Sequence, residues 1–282
     1  MIAALHGVQI GFDDTGAGTP VLFVHGFPHD RSLWDDQCSA LSTHVRCIAP
    51  DLRGFGESMA IAAADGSTAA AAVNSELFSV DQYADDLAQL LAYLDVKKAV
   101  VCGLSMGGYV AMAMWRRHPH LVLALVLCDT KAGADSDEGR TKRNELIALA
   151  ESAGSDAIAA TQITGMLGKT TRDKRPDIVA RTEAMMRRAP VVGIVGALTA
   201  MRDRPDAKVT LSTVTVPTLV VVGNEDALTP LAEAEGIIAA LSPQALAKLE
   251  VVQGSGHASC MERPAAVTHV LAEFLATMSL HS

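Results

Sequence analysis

Ser105 is the centre of Gly103-Leu104-Ser105-Met106-Gly107, a G-x-S-x-G run followed by Gly108 and set between an apolar stretch, 99–102, and a helix-period stretch, 106–117. A serine hydroxyl is a weak nucleophile; it needs a base beside it and a backbone that holds it clear of its neighbours. Glycines two residues to either side remove Cβ atoms that would obstruct so sharp a turn. A strand-to-helix junction also puts Ser105 at a helix N-terminus, where the Met106 amide and the helix dipole favour a developing negative charge. This spacing suits attack on a carbonyl carbon, with the resulting oxyanion held by backbone amides. A second donor is expected after an earlier strand. His25-Gly26-Phe27-Pro28 follows the apolar run 21–24, which makes the Phe27 amide the candidate. His25 reads as a loop-ordering residue rather than a base.

The base is expected last in the chain, in the order serine, acid, histidine. His257, in Gly254-Ser255-Gly256-His257 after the apolar run 248–252, fits that position. The acid that fixes the imidazole tautomer should follow the preceding strand. Asp226, in Gly223-Asn224-Glu225-Asp226, is favoured by this order, with Glu225 beside it and Asp129 at the end of the run 121–128 as competitors. Trp34, Leu104, Met166, Met185 and Met186 are candidate substrate contacts, although methionine at helical spacing more often fills gaps in a core. Arg140, Lys142 and Arg143 could receive an anionic substrate or form a solvated helix face.

Elements to position these residues are readable along the chain. Short apolar runs at 21–24, 45–49, 99–102, 121–128, 217–222 and 248–252 alternate with helix-period segments at 32–41, 83–94, 106–117, 230–241 and 264–277. Such alternation predicts a mostly parallel sheet with helices on both faces, an α/β fold. Ser79 to Gln82 is an S-x-x-Q capping box ahead of the second helix. Between 131 and 211 there is no strand-like run, and amphipathic stretches are separated by Gly154, Gly168 and Pro176. The predicted organisation is therefore a core of 1–130 and 212–282 with a helical cap, 131–211, inserted into it. A second irregularity, 59–74, is rich in Ala, Gly and Ser and reads as a flap or a surface insertion.

Composition narrows the classes of function. The chain has 282 residues and a formal net charge of −9, which disfavours binding to a phosphate backbone. The N-terminus lacks the basic start and long apolar stretch of a secretory signal, and no apolar run is long enough for a membrane span. A cytoplasmic location follows as the expectation. The five cysteines, Cys38, Cys47, Cys102, Cys128 and Cys260, are odd in number and mostly sit in apolar runs, so neither a disulfide framework nor a zinc site is expected.

Taken together, HGFP at 25–28, DLRGFGES at 51–58, GLSMGG at 103–108, GNEDALTP at 223–230 and GSGHASCMERP at 254–264 resemble the α/β-hydrolase superfamily, in its order and over nearly the whole chain outside the cap. The resemblance implies an eight-stranded sheet with its first strand near 8–12, a cap after the sixth strand and no cofactor. Serine at position 105 sets the chain apart from the superfamily's epoxide hydrolases and haloalkane dehalogenases, which carry aspartate there. Within the serine branch it is similar to small carboxylesterases and 3-oxoadipate enol-lactonase-like enzymes. The expected function is hydrolysis of a small carboxylic ester through an acyl-enzyme on Ser105. The alternatives are a lactonase or a C–C bond hydrolase with the same triad and, from a different class, a non-catalytic ligand receptor. The expected partner is a small-molecule ester or lactone rather than nucleic acid or membrane, with a homodimer as the one protein assembly considered.

Overall fold

The computed structural model describes residues 1–60 and 77–278. Most of the segment 59–74 therefore lies outside the described residues; only Met59–Ala60 is placed, as a two-residue strand (β5) paired with Val8 and Gln9. Eight further strands form one continuous sheet. They are β1 (Ile2–Leu5), β2 (Val8–Thr15), β3 (Pro20–Val24), β4 (Arg46–Pro50), β6 (Ala99–Leu104), β7 (Val122–Cys128), β8 (Thr218–Gly223) and β9 (Lys248–Val252), in the order β1-β2-β4-β3-β6-β7-β8-β9. The six strands from β4 to β9 in that order are mutually parallel, whereas β1 and β2 run antiparallel at one edge.

Central strands covered on both faces read as unbroken apolar runs, and every residue of β6 and β8 is buried. Alternation along β6 assigns the two faces. Ala99 and Val101 join a layer with Leu87 and Leu90 of α2 (Val80–Tyr93), Val110 of α3 (Met106–Arg117) and Ile237 of α9 (Leu231–Ala240). Val100, Cys102 and Leu104 join a layer with Leu41 of α1 (Asp35–Leu41) and Leu271 of α11 (Pro264–Met278). The predicted cap of α2 is present: the Ser79 side chain accepts from Gln82 N at 3.0 Å.

Two elements near the N-terminus differ from the sequence expectation. The segment expected as one helix from 32 to 41 starts as a 3₁₀ turn, Arg31–Trp34, because the Asp30 carboxylate takes the Ser32 amide at 3.0 Å and tightens the entry. The β1–β2 hairpin, which turns at Gly7 (φ 77°), was not expected. β1 is a four-residue edge strand with little apolar alternation to mark it.

Five helices lie between β7 and β8: α4 (Asp137–Met166), α5 (Lys169–Lys174), α6 (Pro176–Arg187), α7 (Val191–Asp203) and α8 (Lys208–Leu211). The separators read from the sequence fall at their breaks. Gly154 is non-helical inside α4 (φ 76°), Gly168 caps α5 and Pro176 opens α6. Polar contacts fasten this segment to the sheet-bearing part. Arg188 reaches the Asp30 carboxylate at 2.5 and 2.9 Å and Arg181 reaches Asp36 at 2.7 Å, while buried Arg204 pairs with Asp135 at 2.9 Å within the segment itself.

Candidate active site

Ser105 sits between β6 and α3 with φ 55° and ψ −112°, a left-handed φ that L side chains avoid and that persists only where surrounding structure enforces it. The enforcement is visible in its neighbours. Ser105 N donates to Cys128 O at 2.9 Å, and Thr130 Oγ1 donates to Ser105 O at 2.8 Å. A Cβ on Gly103 would lie 2.1 Å from Gly107 O, and one on Gly107 would lie 2.2 Å from Val24 O, so neither position accepts any other residue without moving backbone. The serine is buried yet keeps 8 % of its surface open.

His257, on the loop after β9, places Nε2 2.7 Å from Ser105 Oγ. Its other nitrogen, Nδ1, lies 2.8 Å from Asp226 Oδ2. That geometry selects the neutral tautomer in which Nδ1–H donates to the carboxylate and Nε2 accepts from the serine hydroxyl. Asp226, just past β8, is itself fixed: Oδ1 accepts from the Leu228 and Thr229 amides at 2.8 and 2.9 Å, and Oδ2 accepts from Thr229 Oγ1 at 2.7 Å. All three side chains come from the carboxyl ends of parallel strands, where open α/β sheets form their sites. Burial alone would depress the His257 imidazolium, but the Asp226 charge and hydrogen bond outweigh it and raise its pKa above the ordinary 6.5. Burial conversely favours a neutral Asp226; the charge and hydrogen bond of His257, with the Thr229 donors, reverse this and hold its pKa below the usual carboxylate value.

The competing acids have other partners. Glu225 accepts from the Thr170 amide at 2.7 Å and from the Thr170 hydroxyl, which ties the end of β8 to α5. Asp129 accepts from Gly223 N at 2.8 Å, Ser259 N at 3.2 Å and Ser259 Oγ at 2.5 Å. Burial, reinforced by the Asp226 charge nearby, pushes its pKa up to about 8. Asp129 thus supports the loops that carry Asp226 and His257 without touching the imidazole through a hydrogen bond.

On the opposite side of Ser105 is the loop after β3. A Cβ on Gly26 would lie 3.3 Å from Ser105 Cβ, so the segment that bears Phe27 runs alongside the nucleophile, and Met106 follows Ser105 directly. His25 is wholly buried, donates from Nδ1 to Gly26 O at 2.9 Å and accepts at Nε2 from Leu52 N at 2.9 Å, so it orders this loop. Next to it is buried His29, whose ring nitrogens have no partner among the described residues; burial holds its pKa down at about 3. Trp34, Leu104, Met166, Met185 and Met186 are all buried, and Trp34 packs against Phe23 with ring centres 5.3 Å apart and the planes tilted by 45°. Trp34, Leu104, Met166 and Met185 belong to one packed apolar layer. Arg143 pairs with Asp135 at 3.1 Å, while Arg140 and Lys142 are exposed on α4.

Sequence reasoning passed over Thr229 and Glu262. Thr229 was marked only by its spacing of three from Asp226, the offset at which an Asp side chain closes a turn onto backbone amides. Glu262 is wholly buried on α10 (Ser259–Glu262), a short helix that the sequence reading did not contain.

The family profile for the alpha/beta hydrolase fold matches residues 19–264. A thermophilic esterase from Thermogutta terrifontis, solved with malate bound, is 35% identical with a TM-score of 0.90, each chain covered over 99% of its length. The enol-lactonase from Burkholderia xenovorans superposes with a TM-score of 0.85 at 24% identity, over 98% of this chain and 100% of that one. The 3-oxoadipate enol-lactonase 1 of Acinetobacter baylyi is 22% identical over 90% of this chain and 88% of its own. The motifs, the sheet order, the serine turn and the span of these matches lead to one conclusion: the chain belongs to the α/β-hydrolase family.

Proposed function

We propose that this protein is a serine hydrolase that cleaves small carboxylic esters through an acyl-enzyme on Ser105. The observation that carries the reading is the chain of contacts Ser105 Oγ to His257 Nε2 at 2.7 Å and His257 Nδ1 to Asp226 Oδ2 at 2.8 Å, built on a serine held at φ 55°. Ser105 Oγ attacks the ester carbonyl carbon while His257 Nε2 takes its proton. The oxygen that becomes negative is held by the Phe27 and Met106 amides, and Asp226 stabilises the imidazolium. The C–O bond then breaks, His257 returns the proton to the leaving alcohol, and a water activated by the same nitrogen releases the acid and restores Ser105. The helices between 131 and 211 act as a cap whose inner surface selects the acyl and alcohol groups. The Thermogutta protein at 35% identity is an esterase, which favours ester over lactone as the first substrate class to try.

The test is steady-state hydrolysis of p-nitrophenyl acetate and butyrate by the wild type and Ser105→Ala. Turnover by the wild type and its loss in the variant are expected. Turnover that survives the substitution would end the serine reading. Inert esters beside a lactone or vinylogous diketone that is consumed would leave the nucleophile standing and move the substrate class.

A further inference from the structure

The His257 loop has little regular structure to hold it, yet its imidazole must meet Ser105 on one side and Asp226 on the other. Asn224 holds the start of the loop through Gly254 N and Asp129 its end through Ser259 N, and one further side chain holds the backbone on both sides of the imidazole. Glu262 Oε1 accepts from Gly256 N at 2.8 Å and from Ala258 N at 3.3 Å, the amides immediately before and after His257. Oε2 of the same carboxylate accepts from Gly168 N at 2.9 Å, at the junction of α4 and α5 and 94 residues away in sequence. The two backbones meet there directly: a Cβ on Gly256 would lie 2.2 Å from Gly168 N, and one on Gly168 would lie 2.7 Å from Gly256 N. Glu225 adds a second tie from the end of β8 to Thr170. Carboxylates with no accessible surface are costly to bury and persist where several donors hold them, and all three donors here belong to the two segments that must be kept in register.

From this arrangement, and resting on the reading of His257 as the base, we infer that Glu262 is a positioning residue: it sets the imidazole by gripping the amides on both sides of it and joins that loop to the helical segment at Gly168. The seating of the 131–211 helices and the placement of the base are then one mechanical unit, so a disturbance at Gly168 is felt at Ser105. Glu262 also acts through charge. The carboxyl groups facing the imidazole are Asp226 after β8, Asp129 after β7 and Glu262 on α10, and each favours the imidazolium when ionised; burial raises the pKa of Asp129 and of Glu262 and holds nearby His29, from the loop after β3, neutral. Glu262→Gln removes the charge that ionised Glu262 places beside the imidazole, so the base stays unprotonated to lower pH.

The test compares wild type, E262Q, G168A and S105A for ester hydrolysis, with circular dichroism and thermal melting as controls for folding. Folded E262Q should lose about tenfold or more in kcat with KM changed less than about twofold, the pattern of a misplaced base rather than of lost substrate binding. The acid limb of its kcat/KM profile should also move to lower pH. Wild-type kcat, or a lowered kcat with an unmoved acid limb, would overturn the inference. Should E262Q not fold, G168A decides: its Cβ must push the helical segment off the Gly256 amide, so a fall in kcat is expected and wild-type kcat refutes the coupling. Activity retained in S105A would remove the serine reading itself, whereas an inert S105A beside an unaltered E262Q would remove only the role of Glu262.

Discussion

Asp226 and Glu225 are adjacent in sequence but point to different parts of the molecule: Asp226 Oδ2 lies 2.8 Å from His257 Nδ1, while Glu225 accepts from the Thr170 amide at 2.7 Å on the helical segment. Their substitutions should separate accordingly. Asp226→Asn should preserve the fold but lower kcat by roughly 10⁴-fold, because the amide stabilises the wrong imidazole tautomer. Glu225→Gln should leave kcat within about threefold of wild type, since its carboxylate makes only partly exposed contacts with Thr170. Steady-state kinetics on folded protein, checked by circular dichroism, distinguishes the two.

Asp129 should matter for stability more than for rate. Its pKa, raised by burial and the nearby Asp226 charge to about 8, means that the carboxyl is largely neutral at pH 7. Asparagine keeps one acceptor oxygen for the Gly223 amide but turns its NH2 toward the Ser259 amide, so Asp129→Asn should lose part of the stability and Asp129→Ala more. Asp129→Ala strands the Gly223 amide and the Ser259 donors, at a cost of about 1–3 kcal/mol for each buried group left unpaired. Urea unfolding of both variants should place the alanine form well below the asparagine form.

The pH dependence of kcat/KM follows from His257. The base works only unprotonated, and Asp226 holds its pKa above the ordinary 6.5 against the opposing effect of burial. The acid limb should therefore have its midpoint above 6.5 rather than below it. A profile that stays flat down to pH 5.5 would contradict this electrostatic picture.

The Arg188–Asp30 contact should appear in the pH dependence of stability. Burial would raise the Asp30 pKa, but hydrogen bonds from Arg188 and Ser32 and the Arg188 charge hold it at about 2 against an ordinary 3.8. A depressed carboxylate contributes stability that is fully present above its unfolded pKa and is lost as pH falls through the folded one. The window is thus pH 4 down to 2. Arg188→Ala should flatten the loss of stability in that window. Because the Arg188 side chain is 53% exposed, the variant should cost less than about 1 kcal/mol at neutral pH. Thermal melts between pH 2.5 and 7 supply the comparison.

How far the site could be read from sequence depended on whether its cause was local. Ser105 was legible because the glycines, strand and helix that shape its turn are contiguous with it, and the apolar runs of β6 and β8 were legible because strands covered on both faces have no polar residues to hide them. Motif order favoured Asp226 over Glu225 and Asp129 but did not separate them by cause, since two adjacent carboxylates past a strand end differ only in which way the chain turns. Glu262 was invisible for the opposite reason: its role lies in an amide 94 residues distant, which no local pattern announces. Likewise, the burial of Trp34 against Phe23 arises from long-range packing rather than from its neighbours in the chain. The β1–β2 hairpin escaped because a short edge strand needs little apolar alternation.

The measurement closest to the central claim is covalent labelling of the purified protein by a fluorophosphonate, with the adduct located by peptide mass and Ser105→Ala as the control. Phosphonylation confined to Ser105 and absent from the control is the expected result, since the hydroxyl 2.7 Å from His257 Nε2 should be the activated one. Folded protein that stays unlabelled, or an adduct on another residue, would contradict the assignment of Ser105 as the nucleophile.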